Sequence, residues 1–150
     1  MRIQRGFTYI EILTVLAVMS IVAAISLVTF SNLRSYQALR VAVQDVQTTF
    51  IDAQNLTLAA KEDMVYGIHI EEAQVVRFSG GTYSAADPDN VYVAFTPPVT
   101  ATTSLTGGAI DIVFARLSGE ADVSGTITLV DGNTNASSTL TVYNSGLIEL

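Results

Sequence analysis

The stretch GFTYIE at residues 6–11 stands at the start of a long uncharged run. After Glu11 no charged residue occurs until Arg34, and the residues between them are mostly Ile, Val, Leu and Ala. As a helix, this run would extend roughly 33 Å, and a bilayer core is about 30 Å thick. The sequence therefore predicts a transmembrane helix over residues 7–30.

Glu11 is an unusual residue at the edge of such a run. A carboxylate within an apolar membrane segment costs on the order of a few kcal/mol, so it normally has a partner and a function. We therefore treat Glu11 as the strongest candidate site residue in the chain.

The residues before the apolar run are typical of a processed leader. Arg2 and Arg5 precede Gly6, whereas a secretory signal peptide has its small-residue cleavage site after its apolar core. Gly6 lacks a Cβ, which allows a peptidase to approach the backbone closely. Cleavage at Gly6 would leave the apolar helix on the mature protein.

These residues resemble the class III leader of the type IV pilin and type II secretion pseudopilin family. The resemblance implies that residues 1–6 are a leader, that a prepilin peptidase cuts between Gly6 and Phe7, and that the Phe7 amine is N-methylated. It also implies an assembly role for Glu11, whose carboxylate would pair with the Phe7 amine of a neighbouring subunit and set the axial register of a filament.

Composition narrows the function classes. The chain has 150 residues, a net charge of −7 and no cysteine, so disulfides and cysteine nucleophiles are excluded. An acidic surface repels nucleic acid, and the basic residues after Arg40 are scattered: Lys61, Arg77 and Arg116. No catalytic set or phosphate-binding loop is recognisable, and we expect neither an enzyme nor a cofactor.

The remaining sequence predicts an α+β fold. Apolar residues recur at helical spacing in residues 31–62, at Leu39, Val43, Val46, Phe50 and Ala53. This amphipathic helix is predicted to continue the membrane helix, to fray within residues 59–63 and to pack on one antiparallel sheet formed by residues 63–150. The predicted strands are Met64–Ile70, Gln74–Ser79, Val91–Phe95, Ile110–Leu117, Gly125–Val130, Thr139–Tyr143 and Leu147–Leu150, with residues 96–108 predicted as a loop.

This order resembles the pilin fold, and the C-terminal third is similar to the GspH/FimT-like minor pilins. The resemblance is carried by Ile112–Arg116, Ser118-Gly119, Gly125–Leu129, Leu140–Val142 and Ser145–Ile148. DNA-binding members of that group carry arginines after the final Gly, but the tail here is Gly146-Leu147-Ile148-Glu149-Leu150. Binding of nucleic acid is therefore not expected.

The resemblance implies a structural subunit, most similar to a minor pilin or pseudopilin, that assembles into a type IV pilus or a type II secretion pseudopilus. It implies a single-pass protein of the bacterial inner membrane with an extracytoplasmic C-terminal domain. The implied partners are prepilin peptidase, other pilins, membrane lipid before assembly, and an inner-membrane assembly platform with its ATPase. The alternatives are a major type IV pilin with roles in adhesion or motility, and a membrane-anchored binding domain that never polymerises.

Two other features are interpreted as structural. His69 alternates with Ile68 and Ile70, which predicts a position on the polar or edge face of a strand. The segment Asp131–Asn135 has the alternating oxygen ligands of a calcium loop but lacks the following Gly and the distal Glu of an EF-hand. We expect it to be a hairpin turn.

Overall fold

The computed structural model describes residues 7–150, and the side chains of residues 26–32 lie outside that description. The chain divides into two compact units, with the boundary between Arg34 and Ser35. One long helix, α1 (Tyr9–Leu58), is followed by eight short strands. The predicted α+β class, with the helix first and antiparallel strands after it, is confirmed.

In the first unit, residues 9–34 are helical and contain neither Gly nor Pro. Ser and Thr hydroxyls in this stretch bond back to the preceding turn, for example Ser20 Oγ to the Leu16 carbonyl at 2.8 Å. Within residues 7–150, no helix combines the length and the apolar character that crossing a membrane requires. The transmembrane helix predicted over residues 7–30 is therefore not confirmed.

The end of α1 falls at Leu58, where the fraying of residues 59–63 is predicted. Ala60 and Glu62 have φ values of 48° and 55°, which do not continue an α-helix. A short 3-10 turn follows at Lys61–Asp63. The buried Thr57 hydroxyl accepts the Tyr66 N–H at 2.9 Å and so joins the last helical turn to the first strand.

The strands form two sheets of four, both antiparallel throughout. The first sheet has the order β3-β2-β1-β5 and the second has the order β4-β6-β7-β8. The strands are β1 (Tyr66–Ile70), β2 (Gln74–Ser79), β3 (Val91–Ala94), β4 (Val99–Leu105), β5 (Asp111–Val113), β6 (Gly125–Asp131), β7 (Ser137–Val142) and β8 (Ile148–Glu149). The β1–β2 hairpin across residues 71–73 is confirmed.

Two predictions about the strands are wrong. Residues 96–108 are not only a loop, because β4 occupies Val99–Leu105 directly after Pro97-Pro98. The single predicted sheet is two sheets, and β4 is the strand that pairs with β6 to form the second one. The prolines cannot donate ladder hydrogen bonds, but their effect ends where β4 begins.

The core of the second unit lies between α1, from Leu39 onward, and the inner faces of the strands. The five apolar helix positions predicted to share a face are all buried. Phe50 is 0% exposed and meets the Phe114 ring edge-on, with centroids 4.8 Å apart. Each such fully buried side chain contributes about 1.5–3 kcal/mol, so this face fixes where the helix packs.

Candidate functional site

Thr8 and Glu11 form a reciprocal cap at the start of α1. The Glu11 backbone N–H donates to Thr8 Oγ1 at 3.3 Å, and the Thr8 backbone N–H donates to Glu11 Oε2 at 3.4 Å. This is a capping box, in which the first orphan N–H groups of a helix find side-chain acceptors. The Glu11 carboxylate also lies in the first turn, where the helix dipole favours negative charge.

The same carboxylate is close in sequence and in space to the predicted processing point. Phe7 is 82% exposed and precedes the Thr8 cap. Cleavage before Phe7 would place a new ammonium one residue from the N–H that Glu11 already accepts. Gly6, the other half of the predicted cleavage site, lies with the rest of the predicted leader outside the described residues.

The capping box was not predicted, although its signal is present in the sequence. The pattern Thr8-Tyr-Ile-Glu11 is the Thr-x-x-Glu signature of a helix start. Glu11 therefore has a local structural role in addition to its proposed role between subunits. Any test of Glu11 has to separate its charge from its capping function.

The helix surface after Glu11 is apolar and exposed. Every described side chain from Phe7 to Ile25 is exposed, and Val18, Met19 and Ile21 are at least 60% exposed. A helix that is apolar on all sides is normally covered by lipid or by other helices.

His69 lies in a polar cluster on the outer face of the first sheet. Its Nδ1 is 2.5 Å from Asp111 Oδ1, and its Nε2 is 3.6 Å from Glu71 Oε1. His69 lies on the predicted polar face of β1, but it is only 8% exposed. The reason is that β1 lies inside the sheet, between β2 and β5, and that Tyr83 stacks on the imidazole with centroids 3.8 Å apart.

Tyr83 contacts both His69 and Glu71 and so belongs to the same cluster. Its hydroxyl donates to Glu71 Oε1 at 3.4 Å. Burial, together with the neighbouring Tyr92 and Glu71, raises the pKa of Tyr83 to about 12. Tyr83 therefore stays protonated at any physiological pH and acts as a hydrogen-bond donor. The cluster thus gives Nδ1 of the buried His69 a hydrogen-bond partner in Asp111.

The Asp131–Asn135 segment forms the turn of the β6–β7 hairpin, as predicted. Asp131 Oδ1 accepts the backbone N–H groups of Asn133 and Thr134 and the Thr134 hydroxyl, at 2.8–3.0 Å. Burial raises the pKa of Asp131, but hydrogen bonds, chiefly from Thr134, outweigh it and hold the pKa below 3.8. The turn therefore occupies Oδ1 of this carboxylate, whereas Oδ2 is buried without a hydrogen-bond partner among the described residues.

Metal-ligating side chains are not gathered elsewhere in the described structure. Across residues 7–150, no group of three or more His, Asp or Glu side chains could hold a metal ion.

A small pocket of mixed polarity lies between α1 and strands β2 and β3. Its volume is about 160 Å³, and its lining residues are Asp45, Thr48, Thr49, Asp52, Arg77, Val91 and Val93. The four helix residues are spaced so that they share one face of α1. This pocket is a further candidate binding feature among the described residues, besides the N-terminal helix.

Residues 1–27 match the family described as the prokaryotic N-terminal methylation motif. The match includes Gly6, Phe7 and Glu11, and it supports a type IV pilin-like N-terminus. No curated protein and no solved structure matches the chain.

Proposed function

We propose that the protein is a pilin-like structural subunit, most similar to a minor pilin or pseudopilin, and not an enzyme. The observation that carries this proposal is the methylation motif over residues 1–27 on a helix whose apolar side chains are exposed. Prepilin peptidase would cleave after Gly6 and N-methylate Phe7. The mature subunit would then join other pilins in a type IV pilus or a type II secretion pseudopilus.

The apolar surface between Phe7 and Ile25 would be buried in two successive environments, first lipid and then the helices of other subunits. Before assembly, lipid of the inner membrane covers it, with the second unit on the extracytoplasmic side. In a filament, the helices of neighbouring subunits take the place of lipid, and close packing replaces the lipid contacts. An inner-membrane platform and its ATPase would drive the transfer.

In this proposal, Glu11 sets the axial register of each subunit as it enters the filament. The new Phe7 ammonium of one subunit and the Glu11 carboxylate of the next are each costly to bury alone. Paired, their charges offset much of that cost, whereas removing one partner leaves an uncompensated buried charge. A subunit that lacks the carboxylate should therefore fail to dock at the base of a growing filament.

Two substitutions separate this role from helix capping. Glu11→Gln removes the charge but keeps a side chain that can complete a capping box. Thr8→Val removes the cap hydroxyl but keeps the carboxylate. We expect Glu11→Gln to be processed normally yet absent from sheared filaments, and Thr8→Val to be incorporated at near wild-type levels.

The opposite pattern would contradict the proposal. If Thr8→Val is lost from filaments while Glu11→Gln is incorporated, Glu11 acts as a cap only. If the wild-type chain never enters a filament, a membrane-anchored binding domain that does not polymerise becomes the better interpretation of its function. The ratio of this chain to the bulk subunit in sheared filaments separates a minor from a major pilin.

A further inference from the structure

The open edge of the first sheet is strand β3, Val91–Ala94. The peptide groups of Val91 and Val93 face β2, because Phe95 N–H donates to the Ala73 carbonyl and bonded pairs alternate from there. Tyr92 and Ala94 therefore direct their N–H and C=O groups away from the sheet. Within residues 7–150, no strand pairs with this side of β3.

The other end strands are protected. On β5, Val113 N–H donates to Asp122 Oδ1, and Asp122 N–H donates to the Val113 carbonyl. On β4, Ala101 N–H donates to the Glu72 carbonyl, and β8 has two residues only. By contrast, β3 has the sequence Val-Tyr-Val-Ala, with no charge and no proline to discourage pairing.

The pocket lies next to this edge and sets what could pair with it. Val91 and Val93 form its sheet side, and α1 forms its other side through Asp45 and Asp52. In a strand added beside β3, the residue opposite Val93 would share its face of the sheet and point into the pocket. At about 160 Å³ the pocket is larger than the roughly 30 Å³ share of one water molecule.

Charge around the edge favours a basic side chain. Asp45 and Asp52 line the pocket, Asp87 and Asp89 precede β3, and Arg77 is the single cation among the pocket residues. Pairing of two copies through β3 would bring these carboxylates together. A lysine or arginine would instead lay its methylenes along the two valines and present its charge to the aspartates.

We propose that β3 is a docking edge for an extended, basic segment of another polypeptide, which adds as a fifth strand and places a Lys or Arg side chain in this pocket. The main-chain bonds would come from Tyr92 and Ala94, and the specificity from Asp45 and Asp52. The inference does not depend on whether the chain enters a filament.

The test uses the full chain in nonionic detergent and two fluorescein-labelled peptides. One six-residue peptide alternates lysine with threonine, and the other alternates glutamate with threonine. We expect fluorescence anisotropy to show saturable binding of the lysine peptide below roughly 1 mM and none of the glutamate peptide. Hydrogen exchange at the Tyr92 and Ala94 amides should slow on binding.

Three variants locate the site. Ala94→Pro removes an outward N–H and no bond to β2, and it should abolish binding. Asp45→Asn with Asp52→Asn should weaken binding about tenfold, since each lost ion pair contributes a few-fold. Glu120→Gln with Glu149→Gln removes the same charge from exposed positions elsewhere and should leave binding unchanged.

Several results would overturn the proposal: no binding of the lysine peptide at 1 mM, equal loss in both charge variants, or full binding by Ala94→Pro. If Ala94→Pro does not fold, the exchange measurement on the wild-type chain decides. Unchanged exchange at Tyr92 and Ala94 with peptide bound would place the contact elsewhere. Pairing of two copies of the chain through β3, in place of peptide binding, would also contradict the proposal.

Discussion

Gln54 joins α1 to two loops of the second unit, and its removal gives a sharp test of how the helix is held. Its Nε2 donates to the Gly119 carbonyl at 2.8 Å and to the Gly146 carbonyl at 2.9 Å. Gly119 lies in the loop before β6, Gly146 lies in the turn before β8, and both are buried. Their φ values of 68° and 78° suit glycine and place both carbonyls near one amide.

Gln54→Ala leaves both carbonyls without this donor. At about 1 kcal/mol for each hydrogen bond lost, the free energy of unfolding should fall by about 2 kcal/mol. Gln54→Glu keeps the shape but, when ionised, directs a carboxylate at two carbonyl oxygens. Its loss should be larger at neutral pH and partly reversed as the pH falls toward about 4.3, because a carboxylate that faces carbonyl oxygens takes up a proton at a higher pH than free glutamate does.

The assay is urea unfolding of the full chain in nonionic detergent, followed by near-UV circular dichroism. The chain has six Tyr and no Trp, so the signal reports tyrosine environments. Gln47→Ala, at a half-buried site on the same helix, is the matched control and should stay within about 0.5 kcal/mol of wild type. A Gln54→Ala loss no larger than the control, or a Gln54→Glu chain as stable as wild type, would refute the reasoning.

Three further changes test the second unit. Phe50→Ala removes a fully buried ring and should lower the free energy of unfolding by about 3–5 kcal/mol, measured by the same urea titration. Gly67→Ala would place a Cβ 2.6 Å from the Phe78 ring, so we expect the free energy of unfolding to fall by about 1–3 kcal/mol in the same urea titration. Because hydrogen bonds led by Thr134 hold the pKa of Asp131 below 3.8, its stabilising contribution is present above that pH and is lost as the pH falls through the lower folded value. Acid titration of Asp131→Asn should therefore show a shallower loss of stability below pH 3.8 than wild type, and parallel curves would show that this carboxylate is not the cause.

Much of the second unit could be predicted because local patterns and packing agree there. The helical spacing of Leu39 and Phe50 identified the buried face of α1, and period-two patterns located the β1–β2 hairpin. Turn chemistry located the β6–β7 turn at Asp131, where the side chain accepts N–H groups of its own loop.

The failures have identifiable physical causes. Strand β4 was hidden by Pro97-Pro98, although Val99–Leu105 keeps the alternation of a strand. The partners of His69 could not be predicted from its place between two isoleucines, because only the chain fold brings Asp111 and Tyr83 to it. Pairing of β4 with β6, which creates the second sheet, joins residues too distant in sequence for any local pattern to predict.

The candidate sites divide in the same way. Glu11 was identified from one charge at the edge of an apolar run, a signal that needs no tertiary structure. The β3 pocket could not be found from sequence, because Asp45, Asp52 and Arg77 come together only when α1 packs beside the sheet edge.

The most direct test of the central claim is the intact mass and N-terminal sequence of the protein purified from its native membrane. The account predicts a chain that begins at N-methylated Phe7, with residues 1–6 absent. A chain that begins at Met1 in a cell with an active prepilin peptidase, or one cut after the apolar run, would contradict it.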